Sequence, residues 1–108
     1  MWKIESTQER EDWKRCVGAG WGDLLDALFE TLDFIYQDDC LKHMKIDDVK
    51  EKFGGLRFYA SCSDGAQGAI DMAEHMSFKI CEVCGKPGRA NRGGWISVRC
   101  EECRPPKP

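Results

Sequence analysis

Two Cys-x-x-Cys pairs, Cys81/Cys84 and Cys100/Cys103, lie fifteen residues apart in the stretch CEVCGKPGRANRGGWISVRCEEC. No other feature constrains the fold of this 108-residue chain as tightly. A thiolate pair on a tight turn aims two sulfurs at one point. Two such pairs make the tetrahedral S4 site that zinc takes in closed, structural positions. Gly85, directly after Cys84, lets that turn bring backbone amides toward the sulfurs. The spacing predicts a zinc ribbon: two knuckles joined by a hairpin, with Gly93-Gly94 turning the chain and Trp95 to Val98 as a strand entering the second pair. Rubredoxin-type iron is the alternative occupant of the same four ligands.

A closed S4 site has no open position for water or substrate, so the ion is expected to be structural Zn2+. A 30-residue segment buries too little apolar surface to stand alone. Metal binding can supply on the order of 10 kcal/mol toward folding it. The N-terminus MWKIESTQER has no apolar run after a basic start, which is the mark of a secretory leader. Reduced thiols, metal ligation and a cytoplasmic setting are therefore expected in place of disulfides. The other three cysteines, Cys16, Cys40 and Cys62, read as small buried or half-buried hydrophobes.

Hydrophobic residues make up 42% of the chain and charged ones 32%, the mix of a soluble globular domain. The most apolar region, LLDALFETLDFIY, is interrupted by Asp26, Glu30 and Asp33, so no membrane span is expected. Charge divides the chain. Residues 1–78 hold nine Lys/Arg against sixteen Asp/Glu, while residues 79–108 hold seven against three. An acidic body (1–78) and a mildly basic metal module (79–108) are expected, packed as one compact domain.

Ser6 and Glu9 have capping-box spacing at the head of STQEREDWKRC, which predicts a first helix. The glycines of VGAGWG interrupt it. Trp21, Leu24, Leu25, Leu28, Leu32 and Ile35 recur at helical steps and predict the core face of a second helix. Asp23, Asp26, Glu30 and Asp33 recur on another face of it, a candidate docking surface for a basic partner. Alternation through Val49, Glu51, Phe53 and then Leu56, Phe58 predicts a β-hairpin turning at Gly54-Gly55, with a short helix over 46–52 as the alternative. Ile70, Ala73 and Met76 mark a third helix, about Ala66 to Ser77. The fold class is α+β: N-terminal helices packed on a short hairpin, with a C-terminal zinc ribbon. Its expected core is Trp21, Leu24, Leu25, Leu28, Leu32, Ile35, Phe53, Leu56, Phe58 and Ile70.

Lys86, Arg89 and Arg92 around Trp95 form a candidate nucleic-acid surface on the ribbon, although their electrostatic footprint is thin. No Ser/His/Asp order, phosphate-cradling loop or His-containing metal motif occurs, so an enzyme is not expected.

The run VKEKFGGLRFY, a short helix and then CEVCGKPGR…GW…C together resemble a family of small uncharacterised proteins of bacteria and their phages. The resemblance extends from about Val49 to Cys103. It implies a bacterial or phage cytoplasmic setting and no particular activity. With the acidic helix face, it leads to the expectation of a non-enzymatic zinc protein that binds a bacterial protein, in one version as a phage-borne host-takeover or anti-defence inhibitor. A zinc-ribbon nucleic-acid binder is the alternative.

Overall fold

The computed structural model describes residues 5–37, 44–91 and 94–104. Helix α1 (Thr7–Lys14) leads into a 3-10 turn (Ala19–Trp21) and helix α2 (Gly22–Tyr36). Strands β1 (Lys45–Lys52) and β2 (Gly55–Ser61) follow, then helix α3 (Asp64–Ser77). Two short strands, β3 (Arg89–Ala90) and β4 (Val98–Arg99), complete the α+β fold. Each strand pair is antiparallel and forms its own two-stranded sheet. None of the described helices is long and apolar enough to cross a membrane.

The expected capping box closes α1. The Glu9 N–H donates to Ser6 Oγ (3.1 Å) and the Ser6 N–H donates to Glu9 Oε1 (3.3 Å). The helix stops at Lys14, two residues short of Cys16, and buries none of its residues. Polar ties hold it to α2 instead. Arg10 pairs with Asp33 and lies over the Phe29 ring, while Lys14 pairs with Asp26 at 3.0 Å. Trp13 adds one apolar contact with the core.

Helix α2 carries the centre of the core. Trp21, Leu25, Leu28, Phe29, Leu32 and Tyr36 are buried on one face. The expected stripe is therefore rotated: Leu24 is half-buried and Ile35, 37% exposed, lies off the core. Helical geometry explains the correction, because 25, 29, 32 and 36 share a stripe and the rings of Phe29 and Tyr36 fill the positions assigned to Leu24 and Ile35. Phe29 meets Phe58 of β2 edge-on, with ring centroids 6.0 Å apart. The Tyr36 hydroxyl accepts from the Ser63 N–H (2.9 Å), tying the end of α2 to the start of α3.

The β-hairpin forms, and its turn is shifted by one residue from the expected position. Lys52 pairs with Gly55, which leaves Phe53-Gly54 as the loop. Both have positive φ, 52° and 85°, the signature of a two-residue primed turn. The Gly54 N–H is held by Glu51 Oε2 at 2.7 Å. Gly55 opens β2 because Phe78 lies against it: a Cβ there would come within 2.3 Å of the Phe78 ring. Phe53 is thereby turned out to solvent, 69% exposed, and is not a core residue. Ile46, Val49, Leu56 and Phe58 form the inward face.

Helix α3 seals the outer edge of β2. Its buried Ser77 accepts from the Leu56 N–H (2.9 Å) and donates to the Glu74 carbonyl (2.6 Å). One turn earlier, Glu74 Oε2 accepts from the Phe58 N–H at 2.9 Å. Edge donors that would face water or another chain are thus occupied internally. Ser77→Ala would leave the Leu56 N–H buried without a partner. It should destabilise the fold by about 1–3 kcal/mol in chemical denaturation while metal content, measured in parallel, stays unchanged.

Candidate metal centre

The chain enters the ribbon directly from α3. The Gly88 N–H donates to the Lys79 carbonyl (2.9 Å) and Ile80 bridges Pro87, so the first knuckle is folded back on its own entry strand. Within the knuckle, the Gly85 N–H donates to the Cys81 carbonyl (2.9 Å), with Gly85 at φ 84°. The Cys81 N–H donates to the Lys86 carbonyl at 2.7 Å. The second pair sits on a matching turn, where the Cys103 N–H donates to the Cys100 carbonyl (3.2 Å). β4 delivers it, and the Glu82 N–H donates to the Val98 carbonyl (2.9 Å) to lock the two knuckles together.

This arrangement places the sulfurs of Cys81, Cys84, Cys100 and Cys103 within 4.8 Å of one another. Cys84 and Cys100 sulfurs are 3.5 Å apart. Bonds of 2.3 Å to a central zinc would set tetrahedral edges of about 3.8 Å. The four ligands can coordinate one metal ion with small adjustments of the side chains. Cys81 and Cys100 are buried, Cys103 is half-buried and Cys84 is exposed, so the ligand set lies at the surface with one side sealed.

The electrostatics favour a cation. Burial pushes the Cys81 thiol up, but the N–H groups of Cys100, Cys84 and Val83 aim at its sulfur and bring it down to about 6. Cys103 is pushed up to about 12, first by its hydrogen bond with the Cys100 thiol, then by burial and by Cys81 and Cys84. The cluster readily holds one thiolate and resists holding several. A divalent cation removes that resistance.

The centre is fastened to the body by a contact that the sequence pattern did not reveal. The VGAGWG segment is more than a helix break. The Gly20 N–H donates to the Glu82 carbonyl (2.9 Å), and the Trp21 indole N–H donates to the Ile80 carbonyl (3.0 Å). A Cβ on Gly20 would come within 2.0 Å of the Cys81 carbonyl oxygen, and one on Gly18 within 2.2 Å of the Glu82 oxygen. These glycines allow backbone to pack on backbone beside a metal ligand.

The other candidate residues fall out differently. Of the acidic stripe, Asp33 and Asp26 are engaged by Arg10 and Lys14, and Asp23 and Glu30 remain exposed. Half of that face is therefore committed to holding α1. On the ribbon, Lys86 pairs with Glu102 (3.0 Å) and Arg89 with Glu101 (2.8 Å). Arg92 lies outside the described residues. Trp95 is 84% exposed and is not in a strand; β4 begins only at Val98, because Asn91 holds this loop through the Ser97 N–H (2.6 Å) and the Trp95 carbonyl (2.8 Å). Cys62 is half-buried as expected, whereas Cys16 is exposed, since α1 buries nothing. Cys40 lies outside the described residues.

No protein-family model matches the chain, and neither the curated proteins nor the solved structures contain a match.

Gly20→Ala tests the seam. The added methyl must displace the knuckle backbone, so thermal stability should fall by about 1–3 kcal/mol. Metal affinity, read by competition with a chromogenic chelator, should fall with it.

Proposed function

We propose that the chain is a non-enzymatic zinc-binding protein whose work is to present a surface to a partner, with the ion in a structural role. The observation that carries this reading is the close set of four cysteine sulfurs, Cys81 among them fully buried, on a knuckle that the buried Trp21 holds through the Ile80 carbonyl. An ion held by all four sulfurs would have its tetrahedral positions filled and none left for a substrate. An S4 set suits zinc, and zinc brings no redox chemistry of its own. Cys81→Ser and Cys100→Ser should each lose the ion and unfold at least the ribbon. Through the Trp21–Ile80 hydrogen bond they should also shift tryptophan emission. A folded, metal-free variant with unchanged emission would overturn the structural role.

Two partner classes follow from this reading. The first is a bacterial protein, bound in the cytoplasm through the acidic side of α2. The resemblance of residues 49–103 to small bacterial and phage proteins supports this setting, and with it a host-takeover or anti-defence role. Asp23 and Glu30 carry the test, because Asp26 and Asp33 already hold α1. Asp23→Lys combined with Glu30→Lys should weaken capture of a protein partner at least tenfold with the melting temperature unchanged. Undiminished capture would remove this face from the argument. The second class is nucleic acid, favoured by the outward indole of Trp95 next to the metal module. Lys86 and Arg89 support it less, because each is neutralised by a neighbouring glutamate.

A further inference from the structure

We propose that the solvent face of the β1–β2 hairpin, with the cleft between its tip and the ribbon loop, binds single-stranded nucleic acid. This deepens the nucleic-acid reading above, rests on it, and moves its surface from the knuckles to the hairpin.

The cations make the first argument. Arg10, Lys14, Arg15, Lys50, Lys86, Arg89, Arg99 and Arg104 all pair with a carboxylate. Among the described residues Lys45, Lys52, Arg57 and Lys79 do not, and the first three lie on the hairpin. Strand alternation turns Val49, Leu56 and Phe58 inward and Lys50, Lys52, Arg57 and Tyr59 outward. Register sets Lys50 directly opposite Arg57, a like-charge cross-strand pair that disfavours the sheet unless an anion lies over it. Asp48 offsets only part of this, at 3.6 Å from Lys50, and Asp47 is bonded to Ser61. Helix α2 packs behind the inner face through Phe29 and Phe58, whereas Glu5, Glu9 and Asp12 share a cleft with Lys45, and Asp71 and Glu74 share one with Arg57, so the patch centres on Lys52 at the hairpin tip.

The aromatic rings make the second argument. Lys50 lies over Tyr59 and Lys52 over Phe53, so rings and cations alternate along the exposed face. Phe53 occupies a left-handed turn position that glycine or asparagine would fill with less strain, and its ring packs into no core. Phe53, Lys52 and Trp95 line one cleft of about 470 Å³, whose one acid, Glu51, is tied to the Gly54 N–H. Ile96 fixes its width by seating on Gly54, where a Cβ would meet Ile96 Cγ2 at 2.7 Å. Flat apolar rings beside unpaired cations suit a ligand that alternates flat bases with phosphates. Bases are open to such stacking when the strand is single.

The test is fluorescence anisotropy of labelled oligo-dT, oligo-U and a duplex on the zinc-loaded full chain, at low and near-physiological salt. Single strands should bind more tightly than duplex and quench Trp95, with affinity falling as salt rises. Phe53→Gly suits the turn and should keep or raise the melting temperature while weakening binding about tenfold, as loss of one stacking ring predicts. Lys52→Glu with Arg57→Glu should weaken it at least as much and flatten the salt dependence. Absence of single-strand binding at low salt would overturn both this inference and the nucleic-acid reading. Binding lost in Lys86→Glu/Arg89→Glu but kept in the hairpin variants would overturn the inference and leave the reading in place. A protein captured through the cleft from nuclease-treated lysate, lost in Phe53→Gly with no oligonucleotide binding, would make it a protein-docking site and overturn the inference.

Discussion

The Gly20 N–H meets the Glu82 carbonyl at 2.9 Å, and the Trp21 indole meets the carbonyl of Ile80 beside it. Both acceptors belong to the first metal knuckle or the residue leading into it. Both donors lie at the root of α2, whose buried face organises the core. The metal centre and the hydrophobic core therefore share a backbone seam, and neither can shift without moving the other. A side chain at Gly18 or Gly20 would separate them, so this seam depends on the absence of a Cβ. A short ribbon with two-residue strands buries little apolar surface, so this seam, and any metal ion held by the four cysteines, would supply much of its order.

The hairpin solves a related problem in another way. A two-stranded sheet is marginal in water unless something covers it. Here α2 and α3 cover the inner face, and Ser77 and Glu74 satisfy the donors at the β2 edge. The outer face is left without a layer. On most small domains such a face would carry balanced charge, yet this one concentrates unpaired cations and rings. Strand β1 keeps three acids, Asp47, Asp48 and Glu51, and the helices carry most of the others, two of which, Asp26 and Asp33, hold α1.

What could be read in advance follows from how local each signal is. The four cysteines, the Ser6 capping box and the helices around Leu25, Leu28 and Ile70 were legible because each rests on spacing along a single segment. The rotation of the α2 stripe was not, because Leu24 and Ile35 are as apolar as the residues that replaced them, and only packing against Phe58 selects Phe29. The hairpin was legible while its turn residues were not. Gly54-Gly55 looks like the obvious loop, but Gly55 is demanded by Phe78, a contact across 23 positions of sequence. For the same reason the glycines of VGAGWG were read as a break between helices, which they are, but not as the contact surface that they also form. Nothing in their own segment records that Cys81 and Glu82 will lie against them.

The candidate site was half legible for a similar reason. Ligands to a metal declare themselves by spacing, but a surface declares itself by which charges remain unpaired after folding. Lys86 and Arg89 are prominent in the sequence because they flank a motif, and folding neutralises both with Glu102 and Glu101. Lys52 and Arg57 flank no motif and are inconspicuous in the sequence, and folding leaves neither in an ion pair, although Arg57 shares a cleft with Asp71 and Glu74 and Lys52 one with Glu51. Net charge therefore misleads twice here. In the basic C-terminal segment Lys86, Arg89, Arg99 and Arg104 pair with its own glutamates, while the acidic body leaves Lys52 and Arg57 on the hairpin without ion pairs. Counting the cations that folding leaves unpaired, and not the charge of each segment, is what moves the nucleic-acid reading from the ribbon to the hairpin.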